Sequence, residues 1–341
     1  MQCQAILEAS KIYDVIIIGA GPCGLATAAR LRESHPSALF TDEEQARFSW
    51  ISRNSRQTSV KYYKNGKVRS TSTTSREIDM LVLDSTSASW MTRWNSLFMK
   101  LEIQYLRSPM FFHPDPQDRD ALLAHCSRHD DGKSCTQEIA GCVGKEVSKH
   151  KKKRRASGKT CPAEINERER RDYFAPSAKA FARFCTECVE RYNLHNVIEQ
   201  ESVETLDYDF IPSMGLDQHK LFTLRTKSTT YLAKTVVLAT GGGAPETPPP
   251  FLQSPHPGFS HALELTSHHA IIPPRVRRLI KIHQPTTALV IGGGLTGAQV
   301  ADSLLRRGIS KVYLVLRGPL KIKPFDVDLP WMGKWRNQQK A

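Results

Sequence analysis

Three glycines with the spacing of a phosphate-binding turn follow an apolar run near the start of the chain. The run Asp14–Ile18 leads directly into Gly19, Gly21 and Gly24, and an alanine-rich segment comes next. The first glycine permits a sharp turn, the second lets a pyrophosphate approach the backbone, and the third allows strand and helix to pack closely. This strand–turn–helix context predicts dinucleotide binding at residues 19–24, the first glycine turn. An ordinary glycine-rich turn in a βα unit is the alternative.

The same pattern recurs about 270 residues further along the chain. Gly292, Gly294 and Gly297 follow the apolar run 288–291 and precede a segment with helical periodicity. The sequence therefore predicts a second dinucleotide-binding turn at residues 292–297, the second glycine turn.

Charged residues after the next predicted strands indicate which dinucleotide each turn would take. Asp42 and Glu43 follow the strand predicted at 37–41, roughly 20 residues beyond the glycines, where an acid binds ribose hydroxyls. They favour FAD or NAD at the first turn, with a charged surface turn as the alternative. Arg317 ends the strand predicted at 311–316 and suits a 2′-phosphate, which favours NADP at the second turn. An arginine without a ligand is the alternative there.

A further apolar strand, predicted at 235–240, ends in small residues. Ala239, Thr240 and Gly241 would let the backbone pass close to a bound dinucleotide. We therefore include these three residues in the predicted cofactor site.

These elements predict an α/β fold with two Rossmann-like, three-layer dinucleotide-binding domains, the second of them incomplete. The predicted FAD-binding domain covers residues 12–285 and includes a charged excursion at 117–172. The predicted NADP-binding domain begins at residue 286 and runs to residue 341.

Composition is that of a globular protein. The chain has 341 residues, a net charge of +14 and 40% hydrophobic residues, and its mean hydropathy is −0.41. It shows neither a membrane-spanning stretch nor a secretory signal, so we expect a cytoplasmic protein. Seven Lys and Arg residues cluster between 145 and 155. We expect a solvated loop there, with a nuclear signal at Lys149–Arg155 as the alternative; without interleaved aromatic residues it predicts no specific nucleic-acid binding.

The eight cysteines are irregularly spaced, which favours reduced thiols. Cys185 and Cys188 form a C-x-x-C pair in a segment with helical periodicity, and we expect both to face the core rather than act as a redox pair. The other cysteine spacings match no zinc ribbon or finger, so no metal site is predicted.

The motifs together resemble those of class B flavin-dependent monooxygenases, and in particular the fungal relatives of ornithine and lysine N-hydroxylases. The matching segments are Gly19–Gly24, Leu106–Pro109, Pro176–Ser177, Val237–Gly241 and Gly292–Gly297. The resemblance implies FAD at the first turn and NADPH at the second. It also implies transfer of one oxygen atom from O2 to a small-molecule intermediate, as in secondary metabolism. The flavin would supply the chemistry, so no catalytic side chain is assigned.

Two other functions are compatible with the same motifs. One is an FAD-binding protein without monooxygenase activity, which would be either a regulatory protein or a truncated remnant. The other is a thiol–disulphide reductase, which would use FAD and NADPH together with a reactive cysteine pair.

Overall fold

The computed structural model of the chain describes residues 11–34, 50, 53, 59–61, 68–70, 78–129, 135–139, 171, 173–210, 220–242, 258–262, 272–319 and 325–326. Asp42, Glu43, the strand predicted at 37–41 and the basic run 149–155 lie outside these residues.

Strands and helices alternate along much of the described chain. In chain order the elements are β1 (Ile12–Ile18), α1 (Pro22–Arg32), β2 (Ser59–Lys61), β3 (Val68–Ser70), β4 (Met80–Asp84), α2 (Thr92–Lys100), α3 (Ala121–Arg128), β5 (Thr136–Glu138), β6 (Phe174–Pro176), α4 (Ala178–Arg191), a 3-10 turn (His195–Val197), β7 (Ile198–Gln200), β8 (Thr205–Phe210), β9 (Lys220–Arg225), β10 (Thr230–Leu238), α5 (Pro274–Lys281), β11 (Thr287–Ile291), α6 (Leu295–Arg306) and β12 (Lys311–Val315).

The chain divides into two compact units. Unit 1 comprises Met1–Thr92, His113–Ala121 and Cys185–Gly241, and unit 2 comprises Arg93–Phe112, Leu122–Phe184 and Gly242–Ala341. The domain boundary predicted between residues 285 and 286 stays a prediction.

Unit 1 is built on a six-stranded sheet with the order β7-β4-β1-β10-β9-β8. The four strands from β7 to β10 are parallel, and β9 and β8 continue the sheet in antiparallel fashion. Ile16 of β1 pairs with Leu81 on one side and with Val236 on the other. Ile16 and Leu81 lie in one apolar cluster with Leu83 and Leu224. The continuous apolar run therefore forms a buried central strand.

Unit 2 contains the parallel pair β11 and β12, which α6 connects. Ile272, Leu304 and Ile309 are buried together in this unit. Parallel strands with connecting helices establish the predicted α/β, Rossmann-like fold class. Among the helices that the structure describes, none has the length and apolar character to span a membrane.

Candidate functional site

The first glycine turn begins where the carboxyl ends of three parallel strands meet. Gly19 has a φ of +111°, and its N–H donates to the carbonyl of Leu83 at 2.8 Å. The next residue after β10, Ala239, donates to the carbonyl of Ile18 at 2.8 Å. A Cβ on Gly19 would overlap the Ala239 carbonyl oxygen. Glycine is therefore required at position 19 both by backbone conformation and by the neighbouring strand.

The other two glycines of this turn have different surroundings. A Cβ on Gly24 would overlap the carbonyl oxygen of Gly19, so the close packing of α1 on β1 depends on glycine. A Cβ on Gly21 would meet nothing within 4 Å. Gly21 is also the N-cap of α1 and makes no side-chain capping bond. Open space next to a helix N-terminus fits the pyrophosphate of a dinucleotide.

An acidic residue that the sequence analysis missed holds this turn from the adjacent strand. The Asp84 carboxylate accepts the Ala20 N–H at 2.8 Å and the Thr86 N–H at 2.8 Å. Asp84 ends β4, which pairs in parallel with β1. In dinucleotide-binding folds the acid at the end of the adjacent strand accepts ribose hydroxyls. Asp84 thus occupies that position in the sheet.

One feature of the sequence could have identified Asp84: it directly follows the apolar run Met80–Leu83, as an acid at the end of a buried strand would. The prediction of Asp42 or Glu43 relied instead on the usual chain distance of roughly 20 residues. Both of those residues lie outside the described part of the chain, and their role stays a prediction.

Of the three small residues after β10 that were predicted to contact a cofactor, only one lies against the first glycine turn. Ala239 is brought against Gly19, as described above. Thr240 and Gly241 are exposed, and Gly241 has a φ of +64°. Contact of Thr240 and Gly241 with a cofactor stays a prediction.

The second glycine turn repeats the local geometry of the first in a more exposed setting. Gly292 has a φ of +132°, and its N–H donates to the carbonyl of Val315 at 3.0 Å. A Cβ on Gly297 would overlap the Gly292 carbonyl oxygen, whereas a Cβ on Gly294 would meet nothing within 4 Å. Arg317 follows the end of β12 and is exposed. This turn also fits a pyrophosphate, and Arg317 stands at the strand end where a 2′-phosphate would be bound.

The C-x-x-C pair is core-facing, as the helical pattern predicted. Cys185 and Cys188 on α4 both have 0% exposed surface. Burial raises the pKa of the Cys185 thiol well above its ordinary value. Burial, together with the negative charge of Asp115, raises the pKa of Cys188 to about 12. Because thiolates are the reactive form, these two thiols are unreactive near neutral pH.

A comparison with protein families agrees with the dinucleotide-binding geometry of the two turns. Residues 139–329 match the family model described as pyridine nucleotide-disulphide oxidoreductase. Proteins of this family bind FAD and a pyridine nucleotide. No curated protein sequence gives a significant match.

Several solved structures are similar to this chain at low sequence identity. The FAD-bound cadaverine monooxygenase of desferrioxamine biosynthesis from Erwinia amylovora is 18% identical, with a TM-score of 0.45, over 92% of this chain and 54% of that one. The L-lysine 6-monooxygenase of Pseudomonas syringae is 15% identical, with a TM-score of 0.42, over 89% and 53%. The bacillithiol disulfide reductase of Staphylococcus aureus is 15% identical, with a TM-score of 0.38, over 97% and 65%. The chain spans about half the length of the two monooxygenases.

Proposed function

The chain belongs to the pyridine nucleotide-disulphide oxidoreductase family, and we propose that it is an FAD- and NADPH-dependent monooxygenase. The first glycine turn carries this proposal, because it is open at Gly21 and held by an acid from the next strand. The resemblance of its motifs to class B flavin-dependent monooxygenases supports the oxygen-transfer activity. The proposed substrates are O2 and a small-molecule intermediate of secondary metabolism.

The first glycine turn would hold FAD. Backbone N–H groups at the start of α1 would bind the pyrophosphate next to Gly21. The Asp84 carboxylate has its oxygens directed by two backbone N–H groups. Those two bonds fix its orientation, so it can accept ribose hydroxyls without reorganising.

The second glycine turn would hold NADPH. The start of α6 offers its N–H groups beside the open position at Gly294. Arg317 would pair with the 2′-phosphate, since a guanidinium binds phosphate through two parallel hydrogen bonds. This contact would favour NADPH over NADH.

When bound, FAD would supply the redox chemistry that links NADPH oxidation to the use of O2. The chain's own residues bind and orient the two cofactors. Cys185 and Cys188 would take no part in this reaction, because both side chains are fully buried and the pKa values of their thiols are raised. That burial is the observation that speaks against a thiol–disulphide reductase using this pair.

The first test is an absorption spectrum of the purified chain after incubation with FAD and gel filtration. Flavin bands that stay with the protein at roughly one FAD per chain would support the cofactor assignment. NADPH oxidation coupled to O2 consumption would then support the monooxygenase. Bound flavin without any NADPH oxidation would favour the non-catalytic FAD-binding alternative, and a colourless protein would contradict both.

A cysteine variant distinguishes a thiol–disulphide reductase from the proposed monooxygenase. We expect Cys185→Ser to retain NADPH oxidation at the rate of the unmodified chain. We also expect iodoacetamide at pH 8 to modify exposed Cys23 while leaving Cys185 and Cys188 unmodified by mass spectrometry. Loss of turnover in Cys185→Ser, with bound flavin retained, would instead indicate a redox role for the pair.

A further inference from the structure

None of the residues that line a cavity in unit 2 is assigned to either dinucleotide. Its volume is about 620 Å³, within the range of small-molecule sites. Residues of α2, α3 and the first half of α4 line it, together with residues of the segments that follow α2 and α3 and with Ser177 before α4. The start of α4 is fixed here because the Ala178 N–H donates to the Gln104 carbonyl at 2.8 Å.

One part of the cavity lining is aromatic. Trp94 and Phe98, one turn apart on α2, stack with ring centroids 3.7 Å apart and planes at 21°. From α4, Ala178 and Ala182 also line the cavity, and their small side chains leave room beside the helix. Aromatic rings next to such space offer a stacking surface for a planar ligand.

The charged part of the lining is cationic. Lys179 and Arg183 lie one turn apart on α4, both exposed. Within the described part of the chain, neither forms an ion pair. Glu102 is the carboxylate in the lining, and Arg306 and Arg307 bind it at 2.8 Å and 2.7 Å. The negative charge is therefore compensated, and two cations remain for a ligand.

We propose that this cavity binds a small planar aromatic carboxylate. Its ring would contact Trp94 and Phe98, and its carboxylate would pair with Arg183, whose planar guanidinium matches a carboxylate through two hydrogen bonds. Lys179 would add a second positive charge on the same helix face. This ligand site does not depend on the proposed monooxygenase activity.

The test compares two naphthalene probes of similar size by isothermal titration calorimetry on the full chain. 1-Naphthoate carries the carboxylate, and 1-naphthalenemethanol is its uncharged counterpart. We expect naphthoate to bind at least about fivefold more tightly, since charge-assisted hydrogen bonds are stronger than neutral ones. Equal affinities, or no naphthoate binding, would overturn the proposal.

Three variants locate the binding. Arg183→Gln should weaken naphthoate binding about tenfold and leave the alcohol within about twofold, because only the charge-assisted pair is lost. Trp94→Ala should weaken both probes, because it removes the stacking surface. Arg275→Gln removes another exposed arginine of unit 2, outside the cavity, and should change the affinity for neither probe. Naphthoate binding that is unaffected by Arg183→Gln, with the fold confirmed by circular dichroism, would overturn the assignment.

Discussion

The two glycine turns share a local geometry but differ in what surrounds them. Both begin with a glycine at positive φ and end with a glycine that lets the helix pack on the strand. Gly19 lies between two parallel neighbours and against Ala239, whereas a Cβ on Gly292 would meet nothing within 4 Å. The same glycine spacing therefore produces the same turn. Whether the first glycine of a turn tolerates a side chain depends on how closely neighbouring backbone surrounds it.

The two turns differ as well in the charge at the end of the adjacent strand. Asp84 ends β4 beside the first turn, and Arg317 follows β12 beside the second. An acid suits ribose hydroxyls, and an arginine suits a 2′-phosphate. This difference supports the assignment of different dinucleotides to the two turns.

The largest expected effect is on stability, from alanine at the first glycine of each turn. Gly19→Ala should lower the free energy of unfolding by about 3 kcal/mol, because strain at positive φ adds to the overlap with Ala239. Gly292→Ala should lower it by only about 1 kcal/mol, since only the strain applies there. Urea titrations followed by circular dichroism measure both values. An equal decrease in the free energy of unfolding for both variants would show that the backbone around Gly19 does not make the first turn less tolerant of a side chain.

The middle glycines should affect cofactor binding rather than folding. Gly21 and Gly294 have φ values of −82° and −81°, which any residue adopts, and both are open. Gly21→Val should weaken FAD binding about 100-fold by occupying the pyrophosphate position. Flavin fluorescence titration measures the change. Gly294→Val is the matched control: FAD binding should be unchanged, and NADPH binding should be weakened.

Removing the charge of Asp84 should have an intermediate effect. Asp84→Asn weakens a charge-assisted contact to ribose and the bond to Ala20, so we expect about tenfold weaker FAD binding. Asp207→Asn removes an exposed carboxylate of unit 1 paired with Arg225 at 2.7 Å, and should leave FAD affinity within about twofold. Unchanged FAD affinity in Asp84→Asn would return the ribose role to Asp42 or Glu43.

The smallest effect should come from Arg317, which is exposed and therefore well solvated. Arg317→Gln should reduce the preference for NADPH over NADH about fivefold, because the 2′-phosphate loses its guanidinium partner. Initial rates of NADPH and NADH oxidation give the ratio. An unchanged ratio, with Lys311→Gln as the surface-charge control, would exclude Arg317 as the determinant of cofactor choice.

Local pattern was enough to predict the strand–turn–helix elements at both glycine turns and the buried pair on α4. Glycine spacing and helical periodicity act over a few residues, so neighbouring sequence determines them. Residues 235–238 of the strand predicted at 235–240 form the carboxyl-terminal part of the longer β10, and residues 239 and 240 follow its end. In the described part of the segment 117–172, where the sequence showed little periodicity, the chain forms α3 and β5.

Contacts between distant parts of the chain followed only from the tertiary structure. Ala20 and Asp84 are 64 residues apart in sequence, and parallel pairing of β1 with β4 brings them together. Chain distance could not identify that partner, because the acid is selected by strand order in the sheet rather than by position along the chain. The enclosure of Gly19 by Ala239 and the aromatic, cationic cavity of unit 2 arise in the same way. The sequence by itself determined which segments turn and which residues can lie close to a phosphate, whereas strand order and helix packing decided which side chains meet there.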